Sequence, residues 1–168
     1  MLSISSAVIE DIKNMREATP ALIAYYYFDY KDASKRDLRS LLTLLLFQLA
    51  SNPGPCWDIL YKLCIACDDG SERPSDAALA KCLKTMFGLS EQLPIFVIMD
   101  ALDECPNTTG TLSAREEVLD LVEDLVGSSQ PNLFICVTSR PEQDIQTVLN
   151  LQGFNKIVSS KEYSQTFD

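Results

Sequence analysis

The segment Pro94–Glu104, PIFVIMDALDE, places the strongest constraint on the fold of this chain. Residues 95–99 are consecutively apolar and include β-branched and aromatic types, which is typical of a strand buried on both faces in a parallel sheet. Asp100, Asp103 and Glu104 follow within five positions. Because open α/β sheets bind ligands at the carboxyl ends of their strands, the segment predicts a ligand site at the end of a central strand.

Carboxylates this close together repel one another unless a cation lies between them. A hard divalent ion such as Mg²⁺ suits the site, because proteins hold it through one or two carboxylates and waters while it bridges to substrate phosphates. The simpler alternative is a strand followed by a solvated acidic turn.

A second segment of the same kind is Leu133–Val137, LFICV, which predicts another fully buried strand. It is followed by Ser139 and Arg140. An arginine at the carboxyl end of a neighbouring strand could reach a phosphate with two parallel hydrogen bonds. The alternative role for Arg140 is an ion pair with Asp100 or Glu104.

Helical patterns separate the predicted strands. Between the apolar stretch 22–28 and the strand at 95–99, apolar spacing predicts three successive helices, which is more than one crossover requires. We expect a capping box at Ser34–Asp37 to open the first of them, and Ser75 to cap the third. A further capping box at Ser113–Glu116 opens a helix before the second buried strand. The chain is therefore predicted to be α/β, with a parallel sheet and a helical insertion between its first two strands.

Composition excludes several partners. The net charge of −10 and the isoelectric point near 4.4 leave no basic face for nucleic acid. The longest apolar run, Leu41–Ala50, is far shorter than the ~20 residues that span a bilayer, so we expect no membrane insertion. The N-terminal residues lack the basic region of a signal peptide, and a cytoplasmic location is expected.

The six cysteines give no metal-site pattern, because the chain has no histidine and zinc needs about four ligands. Five cysteines fall within apolar patterns and are expected to behave as small core residues. They are Cys56, Cys64, Cys67, Cys82 and Cys136.

Together, IFVIMDALDE (95–104), LFICVTSRPE (133–142) and the helical insertion resemble the NACHT group of STAND-class P-loop NTPases. The likeness is to the nephrocystin-type N-terminal NTPase domain of fungal NLR-like repeat proteins, and it covers about residues 4–150. In that family a small residue follows the first aspartate of the Walker B motif and an acidic pair lies beyond it, as Ala101, Asp103 and Glu104 do here.

The resemblance implies a role for each candidate residue in a site for Mg²⁺ and ATP or GTP. Asp100 would bind the metal, and Asp103 and Glu104 would be catalytic, positioning or activating the hydrolytic water. Arg140 would be the sensor 1 residue that contacts the γ-phosphate, with Ser139 beside it in the cofactor-binding loop.

The chain departs from that family because it contains no G-x-x-x-x-G-K-[ST] phosphate-binding loop. The resemblance then implies an incomplete three-layer α/β/α core, with a truncated NTPase domain over 1–150 and a weakly ordered tail over 151–168. Weak or absent nucleotide binding is expected, and hydrolysis is not. Two alternatives remain open: a non-enzymatic module that self-associates or pairs with full-length relatives through the sheet edge left by the missing central strand, or a gene fragment without independent function.

Overall fold

The computed structural model of the chain describes residues 21–51, 53–67, 70–89, 93–108 and 113–151. The apolar spacing over 3–17 also predicts a helix, and that segment lies outside these ranges, as do residues 152–168 of the tail expected over 151–168. The described elements confirm the α/β prediction. They are strand β1 (Leu22–Tyr27), helices α1 (Leu38–Leu49), α2 (Pro55–Ala66) and α3 (Asp76–Phe87), strand β2 (Ile95–Asp100), helix α4 (Ala114–Gly127), strand β3 (Leu133–Val137) and helix α5 (Gln143–Leu151), with short 3₁₀ turns at Ala33–Lys35 and Leu102–Glu104.

The three described strands form a parallel sheet in the order β1-β2-β3. Tyr27 of β1 lies opposite Asp100 of β2, and Met99 of β2 lies opposite Val137 of β3. The interaction-module alternative rests on an unpaired sheet edge beside β2, and in the described sheet β2 pairs directly with β3. The carboxyl ends of all three strands therefore lie side by side.

The core lies between the sheet and the helices. Helix α1 contacts β1, α3 and α4, because five of its leucines are buried: Leu41, Leu42, Leu45, Leu46 and Leu49. They join alternate strand residues such as Ala24 and Val97 in one apolar cluster. The helical insertion therefore supplies much of this core.

The outer edge of β1 is covered at one position by a side chain of α1. The Gln48 amide accepts a hydrogen bond from the Tyr25 backbone N–H at 2.7 Å and donates to the Tyr25 carbonyl at 3.0 Å. These are the two bonds that a neighbouring strand would make. Covering exposed backbone in this way hinders pairing with another chain.

Several details differ from the sequence-based expectations. Helix α1 is capped by Asp37, whose carboxylate accepts from the Ser40 N–H at 2.7 Å, and Ser34 lies in the preceding 3₁₀ turn. β3 is not fully buried, since Phe134 is 50% exposed. Among the cysteines expected in the core, Cys64 is exposed and Cys67 and Cys136 are partly exposed.

None of the described helices has both the length and the hydropathy of a membrane-spanning segment.

Candidate functional site

Asp100 is the last residue of β2 and is held by Thr138, the first residue after β3. The Thr138 hydroxyl donates a hydrogen bond to Asp100 Oδ1 and accepts one from the Ala101 N–H at 3.1 Å. The Thr138 backbone also bonds the carbonyl of Met99 and the N–H of Leu102, at 2.9 and 3.0 Å. Thr138 therefore fixes the direction of the first carboxylate, a role that the sequence analysis did not assign to it.

The chain reverses direction directly after Asp100. Ala101 has φ 56° and ψ 46°, in the left-handed region, which disfavours any residue with a Cβ by about 1–2 kcal/mol. The 3₁₀ turn Leu102–Glu104 follows, with Leu102 fully buried beneath it. This anchored reversal places the carboxylates of Asp103 and Glu104 beside the loop after β3.

The cation between these two carboxylates is the guanidinium group of Arg140. Asp103 accepts from the Arg140 N–H at 2.9 Å and from its Nε, and Glu104 lies 3.3 Å from Arg140 Nη2. Glu104 also accepts from the Tyr30 N–H at 3.3 Å, which brings in the loop after β1. The ion-pair alternative predicted for Arg140 is therefore found, with Asp103 in addition to Glu104.

The two partners in this ion pair differ in exposure. The Asp103 side chain is 5% exposed, whereas that of Arg140 is 73% exposed. Burial alone raises the pKa of Asp103, but the hydrogen bonds and positive charge of Arg140 outweigh it and hold the pKa below its usual range. The same contacts raise the pKa of Arg140. Asp103 is thus ionised at neutral pH, with its cationic partner facing solvent.

Two neighbouring residues lie close to the carboxylates at this end of the sheet. The pKa of Tyr27 is raised first by burial and then by four nearby carboxylates, those of Glu104, Asp29, Asp100 and Asp103. Burial and then Asp100 raise the pKa of the Cys136 thiol. Burial is the largest cause in both cases, and the nearby carboxylates add to it.

Ser139 was predicted to bind a cofactor. Its exposed hydroxyl donates to the carbonyl of Arg140 at 2.6 Å, so the contact seen for it lies within its own loop.

The fit of Mg²⁺ to these residues depends on Asp100. Within the described ranges, no three His, Cys, Asp or Glu side chains form a group that could hold a metal ion. Asp103 and Glu104 already contact Arg140. A single carboxylate is nevertheless sufficient where waters and substrate phosphates complete the shell, and Asp100 meets that lesser requirement.

A family model described as nephrocystin 3, N-terminal, matches residues 3–140. The chain belongs to this family. The nephrocystin-type part of the resemblance is thereby confirmed, and the matched range contains Asp100, Asp103, Glu104 and Ser139 and ends at Arg140. No curated protein and no solved structure matches the chain significantly.

The nephrocystin 3 N-terminal match also includes Arg115, which the sequence analysis noted only as part of a capping box. That box is confirmed: Ser113 and Glu116 exchange hydrogen bonds between side chain and backbone. Arg115 itself is buried, with its side chain against the start of α5 and against residues 101–106, which we call the acidic turn. The sequence contained one signal for this role, the position of Arg115 in the first turn of a predicted helix. A cation there opposes the helix dipole, which implies that acceptors elsewhere compensate for it.

Proposed function

We propose that this nephrocystin 3 N-terminal chain carries the metal and sensor half of a NACHT-type, STAND-class nucleotide switch. Mg²⁺ and ATP or GTP would be the ligands of the complete site, and the cytoplasm its location. The observation that supports this is the position of Arg140, whose exposed guanidinium lies beside Asp103 and Glu104 in the loop that also carries Thr138, the partner of Asp100.

An arginine held in this way can exchange its partners. A phosphate offers the same paired oxygens as a carboxylate and more charge, and the 73% exposure of the Arg140 side chain leaves it within reach of a ligand from solvent. Asp100 would hold Mg²⁺, which supplies charge neutralisation at the phosphates.

The strength of binding is limited by the sequence. The chain has no phosphate-binding loop of the P-loop type, whose backbone N–H groups and lysine supply most phosphate contacts. One arginine and one metal ligand are compatible with a dissociation constant of about 1 mM, which is only about 4.1 kcal/mol of binding free energy. Hydrolysis at a measurable rate is not expected.

The test is an NMR titration with Mg²⁺-ATP and Mg²⁺-GTP up to roughly 10 mM, ten times that constant, repeated without Mg²⁺. We expect Mg²⁺-dependent shifts at Asp100 and at residues 138–140, lost in Arg140→Ala and retained in Arg73→Ala, which removes another exposed arginine. Shifts that are absent or spread over the surface would refute nucleotide binding. Micromolar affinity would refute the half-site interpretation.

A further inference from the structure

Arg115 lies in the first turn of α4, yet its side chain is only 6% exposed. Burying a charged group is costly unless it is paired and hydrogen-bonded. Burial alone lowers the pKa of Arg115, but Glu142 and Asp144 reverse this and raise it. The contacts that compensate for the cost of burying Arg115 join two segments of the candidate site.

The first set of contacts is with the acidic turn. Arg115 Nε donates to the carbonyl of Cys105 at 2.9 Å, and Nη2 donates to the carbonyl of Asp103 at 2.7 Å. The Arg115 backbone N–H bonds the carbonyl of Pro106 at 3.2 Å. Arg115 therefore holds the chain at three carbonyls between Asp103 and Pro106.

The second set of contacts is with the start of α5. Arg115 Nη1 donates to the carboxylate of Glu142 and lies 3.3 Å from that of Asp144. The Glu142 N–H in turn bonds the carbonyl of Arg140 at 2.9 Å. A continuous set of contacts thus runs from the Asp103 backbone through Arg115 to the backbone of Arg140.

We propose that Arg115 is a positioning residue that holds the acidic turn and the Arg140 loop at the separation at which Asp103 binds Arg140. The planar guanidinium is essential, because its five donors can bond two carbonyls and two carboxylates at once, which an ammonium group cannot do. The functional consequence rests on the proposed nucleotide site, but the positioning itself is independent of any ligand.

The test is Arg115→Lys, observed through solvent exchange of the Arg140 backbone amide, which donates to Asp103 Oδ1 at 2.9 Å. We expect exchange to become about fivefold faster or more, the effect of weakening this contact by about 1 kcal/mol. Since the measurement uses no nucleotide, failure of nucleotide binding and failure of this proposal give different results.

A matched control is Arg39→Lys. Arg39 also joins two segments, through Asp76 and through the Pro74 carbonyl at 2.8 Å, but it lies in the helical insertion. Its loss should lower the free energy of unfolding without changing Arg140 exchange relative to other native amides. If Arg115→Lys accelerates Arg140 exchange no more than Arg39→Lys does, Arg115 only stabilises the fold and the proposal is wrong.

A second variant, Glu142→Gln, covers the case in which Arg115→Lys does not fold. The Glu142 side chain is 44% exposed, so its substitution leaves the buried arginine in place while weakening the connection to α5. Faster Arg140 exchange in this variant supports the proposal, and unchanged exchange overturns it.

Discussion

Substitution of Asp103 by asparagine removes the buried charge that binds Arg140 while keeping the size of the side chain. Asp103 accepts both the backbone N–H and the Nε of Arg140. Hydrogen bonds to charged groups contribute about 1.5–3 kcal/mol each, but the exposure of Arg140 screens the ionic part towards the 0.2–1 kcal/mol of surface pairs. The asparagine oxygen can still accept the backbone bond. We therefore expect Asp103→Asn to lower the free energy of unfolding by about 1–2 kcal/mol at neutral pH.

This loss should depend on pH in one direction. The pKa of Asp103 lies below its ordinary value of 3.8 in the folded chain. Its charge therefore contributes stability that is fully present above the unfolded pKa and is lost as the pH falls through the folded pKa. Once protonated, Asp103 resembles asparagine, so the difference between wild type and variant should shrink below about pH 4.

The measurement is urea unfolding of both proteins from neutral pH down to the lowest pH at which both remain folded. The other carboxyl groups titrate in both proteins and cancel in the difference. Asp124→Asn is the control, since Asp124 pairs with Lys84 at 2.7 Å while its side chain is 64% exposed, and its removal should change stability by less than about 1 kcal/mol. A difference between wild type and Asp103→Asn that is absent at neutral pH, or constant across the pH range, would refute the reasoning.

Three further outcomes follow from local geometry. Ser113→Ala removes half of the capping box of α4 and should lower the free energy of unfolding by about 1 kcal/mol in a urea titration; an unchanged midpoint would contradict this. Ala101→Gly relieves the strain of a left-handed backbone, so it should leave the free energy of unfolding unchanged or raise it by up to about 1 kcal/mol. Ala80→Gly within α3 should lower the free energy of unfolding by about 1 kcal/mol. Equal losses in the two variants would refute the backbone argument. A thiol reagent should modify exposed Cys64 in the folded chain but Cys105 only on unfolding, because Cys105 is fully buried and burial raises its pKa to about 12. Mass spectrometry of peptides from protein treated in the native state checks this, and modification of Cys105 there would contradict it.

The elements of this fold were largely predictable, because the signals that define them are local. Apolar runs located β2 and β3, and the Ser113–Glu116 capping box located the start of α4. Local signals also misled where two were adjacent. Ser34 and Asp37 both suit a helix start, and only the hydrogen bond from the Ser40 N–H to Asp37 identifies the cap of α1.

Burial was less predictable than secondary structure. The apolar pattern predicted that Cys64 lies in the core, but Cys64 is exposed. The pattern did not identify Cys105, which is fully buried. The reason is that a helix or turn has an inward face only once its neighbours are in place. Cys105 is inward because the acidic turn packs back on the chain, with its thiol 3.4 Å from the Arg36 carbonyl.

The sequence by itself determined that three carboxylates follow one strand and an arginine follows another, and parallel pairing then brings the two groups to one edge of the sheet. Only the tertiary structure decided which of them meet. The register of β2 with β3 and the left-handed turn at Ala101 direct Asp103 and Glu104 to Arg140 and leave Asp100 with Thr138. The partners of Arg115 could be assigned only there, because the packing of α4 against two loops brings them to its side chain.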